Sequence, residues 1–466
     1  VTARALDVAR AALADVPAWV VGGAVRDALL GRPTADVDLA VDGDVRAAAR
    51  ALGRAAGGPS FELSETFGGW RVIGPGQAWQ VDLTPVQGGS LQEDLSRRDF
   101  TINAMAQPLT GGEIVDPHGG ATDLAARRLR MVSAASFDAD PLRVLRLARF
   151  ACELGLEPEP ETVAAAAARA SRIEAVAGER VFTELKRVVV ADAVREGLAL
   201  MDRLAVTPHV LPELSGLRGV EQNRYHHLDV HDHTLAVLDE TIALEQDPGA
   251  VFGEPLGERL RAFLAEPLAD GLTRAGALRF GALLHDVAKP ETQARHQDGS
   301  VLGFPGHADL GADRSRAALT RLKTSEKTRA HVAALARHHL RLGYLVHETP
   351  LDRRAIHRYL MATHPVEVDV SLLSVADRLA TRGRKAGVAI ARHVDVARTV
   401  LPYALDFAEY RAQPPLVRGD ELAAELGLRP GPALGRLLAQ LDEARFAGEI
   451  ATHEEALALA RTLEPT

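Results

Sequence analysis

Over the first 110 or so residues the spacing of apolar positions changes every few residues. "AWVVGG" (18–23) is a short continuous apolar run closed by a glycine pair, which predicts a buried strand. "AVRDALLG" then takes helical spacing and stops at Gly31, and "DVDLAV" (36–41) returns to a strand. "VRAAARALGRAAGG" predicts a helix ended by glycines, and "WRVIG" and "WQVDL" predict two further strands. From about residue 122 Leu, Val and Ala recur at helical period almost without a break, including "AAAAARA" near residue 165. "PHVLPEL" near 208 reads as a junction, and "GLRPGP" is a turn before more helix. The expected fold is α+β: a small mixed-sheet head (1–137), then an all-helical neck (138–207), a His-rich helical domain (208–390) and a helical tail (391–466).

Composition narrows the class without naming it. With 466 residues, 47% hydrophobic and 25% charged, the chain is long enough for several domains with sizeable cores. No apolar run reaches membrane-span length and the N-terminus lacks a basic-then-apolar signal pattern, so no membrane partner is expected. The single Cys152 rules out an intrachain disulfide and fits a reducing compartment, so a cytoplasmic location is expected. A formal charge of −9 argues against coating nucleic acid indiscriminately, but leaves room for local basic patches. Three arginine clusters are candidates: Arg127, Arg128 and Arg130; Arg143, Arg146 and Arg149; Arg378, Arg382, Arg384 and Lys385. Each is first of all a candidate solvated face.

The candidate chemistry begins at residue 20. Asp36 and Asp38 alternate on a strand, so both carboxylates project from one face. Two such carboxylates bind Mg²⁺, which commonly completes its shell with substrate phosphates. Gly22 and Gly23 let the backbone approach a triphosphate, the helix from Ala24 adds N–H donors, and Arg26 adds a full charge. No GK[ST] ending is present, so P-loop chemistry is unsupported. "EDLSRRDFTINAMA" (93–106) and "DADPLRVLRLARF" (138–150) follow. In the second, Asp140 and Pro141 predict a helix start, with Asp140 at the N-cap, and Arg143, Arg146 and Arg149 form a stripe along that helix.

GGAVRD with DVD, RRDFTINA and DPLRVLRLARF, in this order, resemble the motifs of class II tRNA nucleotidyltransferases and bacterial poly(A) polymerases. The resemblance covers roughly residues 17–190, including "GERVFTELKRVV". It implies that Asp36 and Asp38 bind Mg²⁺, that Gly23, Arg26 and Arg98 contact the triphosphate, and that Asp140 and Arg143 read the incoming base, with Arg146 and Arg149 nearby in the nucleotide pocket. The chemistry agrees with that last role. Cytosine and adenine each present an amino donor beside a ring-nitrogen acceptor, which a carboxylate and a guanidinium complement, whereas guanine and uracil present a carbonyl and a ring N–H. CTP and ATP are therefore the expected substrates, and the tRNA 3′ end the expected acceptor.

The chain departs from that family at two places. Members often carry Glu before the base-reading Asp, whereas here the residue is Ala139, with Asp138 as a candidate substitute. A long flexible loop precedes the RRD motif in full CCA-adding members, and CC-adding members lack it. Here only residues 84–90 separate "VDL" from "LQEDLSRRDF", which implies CC addition. Asp82 in "WQVDL" is a candidate third carboxylate that would take the proton of the RNA 3′-hydroxyl. The alternatives are a full CCA-adding enzyme, a poly(A) polymerase, or a phosphohydrolase with a non-catalytic RNA-binding head.

"HHLDVHDHTLAVL", "ALLHDVAKPET", "GHADLGAD", "ARHHL" and "VADRLATRGR" resemble the HD phosphohydrolase superfamily. The resemblance implies a metal set of His233, His285, Asp286 and Asp377, with His307 and His338 as additional histidines. Imidazole with carboxylate suits Ni²⁺, Mn²⁺ or Fe²⁺. His209, His296 and His331 are expected to be surface or core residues. The tail, "PPLVRGDELAAELGLRPGPALGRLLAQLDEARFAGEI", resembles the C-terminal region of HD-containing members, where the tRNA elbow is held, and "RGDEL" reads as a helix start.

Overall fold

The computed structural model describes residues 2–34, 36–64, 68–222, 228–348, 350–381 and 386–463. Arg382, Arg384 and Lys385 of the third arginine cluster lie outside the described residues. The chain divides into two compact units, Val1–Val210 and Leu211–Thr466.

The first unit is built on six strands: β1 (Ala18–Val21), β2 (Asp36–Val41), β3 (Ser60–Ser64), β4 (Gly69–Ile73), β5 (Gln80–Pro85) and β6 (Ala106–Pro108). Their order in the sheet is β3-β4-β5-β2-β1-β6. Only β2 and β5 run parallel, with Asp38 opposite Asp82; the remaining neighbours are antiparallel. Alternation along β2 turns Val37 and Leu39 into the core and leaves Asp36 and Asp38 on the open face. The core face is covered by α1 (Thr2–Ala12) and α3 (Val45–Ala56), whose Ala5, Ala9, Ala49 and Leu52 pack on Val20, Val81 and Leu83. Asp44 caps α3 by accepting from Ala47 N at 2.9 Å. Between β1 and β2 lies α2 (Gly23–Leu29), and α4 (Leu91–Ser96) follows β5.

The rest of this unit is helical: α5 (Gly120–Ala125), α6 (Ala135–Ala139), α7 (Arg143–Leu154), α8 (Pro160–Ala167), α9 (Gly178–Val189) and α10 (Val194–Arg203). One expectation shifts. Asp140 is extended (φ −146°) and its carbonyl accepts from Arg143 N, so the chain enters α7 through a turn and the helix proper starts at Arg143 rather than Pro141. The first arginine cluster serves the fold: Arg127 donates to Gly155 O, and Arg128 and Arg130 pair with buried Asp123.

The second unit centres on α12 (Arg274–Leu284), buried along its length from Ala275 to Leu284 and apolar there except at Arg279, which pairs with Glu245. Around it stand α11 (Val230–Gln246), α13 (His307–Arg321), α14 (Glu326–His338) and α15 (Glu367–Ala380). The long α16 (Ala386–Ala412) leads to α17 (Gly419–Leu426), α18 (Pro432–Ala447) and α19 (His453–Thr462). The last three share a core of Leu422, Leu434, Leu437 and Leu441. "RGDEL" opens α17, with Arg418 at the cap position and paired to Asp420. Among the described residues no helix is long and apolar enough to cross a membrane.

Candidate active sites

In the first unit a cavity of about 560 Å³ opens on the face of β2 that carries Asp36 and Asp38. Its walls come from the turn before α2, from Arg98 after α4, and from the start and one face of α7. Nine residues singled out in the sequence line it: Gly23, Arg26, Asp36, Asp38, Arg98, Asp140, Arg143, Arg146 and Arg149.

Crowding by protein, the charge of Asp82 and the charge of Asp36 push the Asp38 carboxyl up, against the pull of Arg98. Negative charge is concentrated there, and a divalent cation would relieve it, so the residues present fit a metal at Asp36 and Asp38. Asp82 is not a free third carboxylate. Both its oxygens accept from Arg71, at 2.7 Å each.

Gly22 makes the turn between β1 and α2. Its φ of +69° lies in the left-handed region, and a Cβ there would sit 2.9 Å from Arg98 Nη1, a guanidinium also held by Asp94 at 3.1 Å. The sequence marks both glycines, and it is Gly22 that needs to be one. Arg26 is buried and donates to Asn103 Oδ1 at 2.7 Å and Asp27 Oδ1 at 2.8 Å.

Arg146 and Arg149 do structural duty inside the cavity wall. Arg146 reaches Asp99 at 2.6 Å and Arg149 reaches Glu184 at 2.9 Å. With Arg26 they surround the Phe150 ring at 5.1, 5.2 and 4.0 Å for Arg26, Arg146 and Arg149. Burial, with Arg146 and Arg187 nearby, pulls Arg149 down to about 10, against the attraction of Glu184. Burial pushes the Asp99 carboxyl up, but the Arg146 charge and hydrogen bonds from Asn103, Arg146 and Phe100 N outweigh it and hold it well below the usual range. Asn103 bridges Asp99 and Arg26, so one buried network joins α2 to α7.

The expectation that Asp138 substitutes for the acid missing at position 139 is not met. Asp138 turns to Arg169 (2.9 Å) and Arg172 (2.6 Å). The Asp140 carboxylate accepts instead from Arg180 of α9 at 2.8 Å and from Leu142 N at 3.2 Å. Arg180 lies within "GERVFTELKRVV", where the sequence gives no local sign of its partner. The connection from β5 to α4 is residues 86–90, tied down by Val86 N to Val41 O (3.0 Å) and Gln87 N to Asp94 Oδ1 (3.1 Å).

The second unit gathers histidines from four helix segments around Asp286. His233 Nε2 lies 3.0 Å from Asp377 Oδ1 and 3.8 Å from Asp286 Oδ2, and His285 Nε2 lies 3.1 Å from Asp286 Oδ2. His307 and His339 approach the other Asp286 oxygen at 3.4 and 3.8 Å. The additional histidine is thus His339 and not His338. His338 is the last residue of α14 and faces outward, where its Nδ1 accepts from Arg341; one residue further along, about 100° round the axis, points inward.

A cation fits this cluster for a reason internal to it. His285, His307 and His339 each place Nδ1 2.7–2.8 Å from a backbone carbonyl three residues earlier. A carbonyl only accepts, so Nδ1 of each ring carries a proton and Nε2 is the ring nitrogen left to face inward. His307 Nε2 and His339 Nε2 face one another at 3.3 Å, and burial with the His285 charge pulls His339 down to about 4. Both oxygens of Asp286 and His285 Nε2 are buried without an aligned hydrogen bond. Lys289 Nζ lies 2.6 Å from Asp286 Oδ2. Two trios of ligand atoms share Asp286: His233 with His285, and His307 with His339. A cavity of about 710 Å³ opens beside them, lined by His339, Asp377, Arg378 and Arg392 among others. The three histidines set aside behave as such: His209 pairs with Glu174, His331 is buried against Asp369, and His296 is exposed.

Comparison with known proteins places these sites in context. Residues 18–86 and 76–130 match the family described as Poly A polymerase head domain. Residues 155–217 match the probable RNA and SrmB-binding site of polymerase A, and 256–382 match the HD domain. The chain is 37% identical over 446 residues to the A-adding tRNA nucleotidyltransferase of Deinococcus radiodurans, covering 95% of this chain and 94% of that protein. It is 34% identical to the CC-adding tRNA nucleotidyltransferase of Thermus thermophilus, covering 95% and 92%. The fold is that of the Thermotoga maritima CCA-adding enzyme complexed with tRNA, at a TM-score of 0.62 and 19% identity over 98% of this chain and 94% of that one.

Proposed function

Because the chain belongs to the tRNA nucleotidyltransferase family, we propose that it adds two cytidines from CTP to the tRNA 3′ end in the cleft of the first unit. Asp36 and Asp38 would hold Mg²⁺, which when bound offsets triphosphate charge and polarises the attacking hydroxyl. The turn at Gly22 and Gly23, with Arg26 and Arg98, receives the phosphates. Asp140 accepts from the cytosine amino group while Arg143 donates to the ring nitrogen, so the base is chosen by protein side chains without a template.

The observation that carries the CC reading is the connection at residues 86–90. It is short, held at its start by the Val86 and Gln87 amides and at its end by Ser90, whose side chain accepts from Glu93 N, so it leaves no lever to re-aim the pocket from cytosine to adenine. The 37% identity to an A-adding enzyme favours the other reading, addition of the terminal adenosine. A tRNA transcript lacking its CCA end, incubated with CTP alone and resolved to single nucleotides, decides. Extension by two nucleotides supports the proposal. No extension with CTP counts against it, as does a long ladder with ATP.

A second activity, metal-dependent phosphoester hydrolysis, is proposed for the histidine cluster. The inward Nε2 atoms suit Ni²⁺, Mn²⁺ or Fe²⁺, and Arg378 and Arg392 stand in the adjoining cavity where a phosphate would bind. Phosphates at RNA ends are the substrates to try first, since removing one would leave a 3′-hydroxyl. Turnover of a 2′,3′-cyclic phosphate that persists in His285→Ala would contradict this.

A further inference from the structure

Ala139 can hold neither of the two side chains that read the base, yet both are held. Arg143 Nη1 donates to the Ser136 carbonyl at 3.2 Å, at the start of α6. Asp140 Oδ1 accepts from Leu142 N and Oδ2 accepts from Arg180 Nη2. We propose that Arg180 is the positioning residue of the base-reading carboxylate, supplying from α9 the support that position 139 lacks. The proposal rests on the assignment of Asp140 and Arg143 as base readers.

Geometry and chemistry both favour it. A carboxylate offers about four lone-pair sites. The contacts from Leu142 N and Arg180 fix its plane and leave acceptor sites for an amino group. Arg180 sits in the first turn of α9, where the helix dipole disfavours a cation, so the helix itself has no use for it there. Nor is the contact isolated. Arg180, Glu184 and Arg187 recur at i, i+4 and i+7 on one face of α9. They pair in order with Asp140, Arg149 and Glu153, at 2.8, 2.9 and 2.7 Å. Because the signs alternate, sliding α9 by one turn along α7 would set like charges together. The ladder fixes the register of the two helices, and its first rung is Asp140.

The Arg180 side chain is 53% exposed, so the pair adds little to stability and its loss is read in selectivity. The test compares CTP with UTP, whose base presents a carbonyl where cytosine presents its amino group. Arg180→Ala is expected to lower kcat/KM for CTP about tenfold and to narrow the CTP-over-UTP preference by a similar factor, with KM moving more than kcat. Arg180→Lys should restore most of both, and the melting temperature should stay within about 2 °C. An unchanged preference would overturn the proposal, as would an activity loss that merely tracks a fall in melting temperature. Asp140→Ala separates the two levels. If it keeps the preference, the base-reading assignment fails; if it loses the preference while Arg180→Ala keeps it, only the positioning role fails.

Discussion

The cleft of the first unit and the histidine cluster of the second both gather carboxylates where a cation fits, and they handle the cost of desolvation in opposite ways. Asp36 and Asp38 stand on an open sheet face, reachable by solvent and by a charged substrate. Arginines surround them, and those arginines are themselves held by buried acids such as Asp99 and Glu184. The second site is closed in. His233, His285 and Asp286 are at most 1% exposed, and imidazoles with Lys289, rather than arginines, face the acid. An open site suits a substrate that brings its own phosphate charge, while a buried set of imidazole nitrogens suits a tightly resident ion.

If that contrast is right, the two sites should fail separately. The largest expected effect is Asp36→Asn combined with Asp38→Asn, which should lower CTP incorporation by at least about 10³-fold and leave the metal content of the second unit unchanged. Parallel loss of both would break the comparison.

Next in size is the choice between neighbouring histidines. His339→Ala should weaken divalent-metal binding in the second unit by at least about tenfold, measured by titration of the metal-stripped protein, whereas His338→Ala should not. The reverse result would restore the register expected from sequence.

Gly22→Ala comes third. Its Cβ would meet Arg98 and its φ of +69° disfavours any side chain, so CTP incorporation should fall by about 10²-fold, at a cost near 1–2 kcal/mol of stability. Full activity would mean that the turn is not the phosphate seat.

Asp99→Asn is the smallest in its effect on the chemistry and bears on the buried acids that hold the arginines. Removing this charge leaves Arg146 without its main partner and should cost about 3 kcal/mol in denaturant unfolding. The sign of the pH effect follows from a carboxyl depressed on folding. Its contribution is complete above the unfolded value of about 4 and is lost only as pH falls through the lower folded value. The stability gap between wild type and variant should therefore be flat from pH 5 to 8 and close in stronger acid.

Legibility differed between the sites for a physical reason. The head chemistry lies in contiguous runs, where strand alternation alone puts Asp36 and Asp38 on one face, and a run of glycines with Arg26 implies a phosphate turn. What stayed hidden there were partners from distant segments: Arg71 on Asp82, Glu184 on Arg149, Arg180 on Asp140. The Arg180, Glu184, Arg187 spacing was a signal, but it gains meaning only once α9 lies against α7. In the second unit the ligand set is spread over more than a hundred residues, so each position depends on where a helix ends. "ARHHL" offers two adjacent histidines: the resemblance pointed to His338, and the structure turns His339 inward. The helix start at Arg143 shows the same limit, since Asp140 and Pro141 shape a turn before the helix begins.

The claim on which the rest depends is that the cleft selects cytosine and has no means of switching to adenine. It is tested most directly with a tRNA already ending in CC, offered ATP and Mg²⁺ and resolved to single nucleotides. The bound connection at residues 86–90 predicts no extension. Addition of a single adenosine would contradict it and identify the enzyme as one that completes the end rather than begins it.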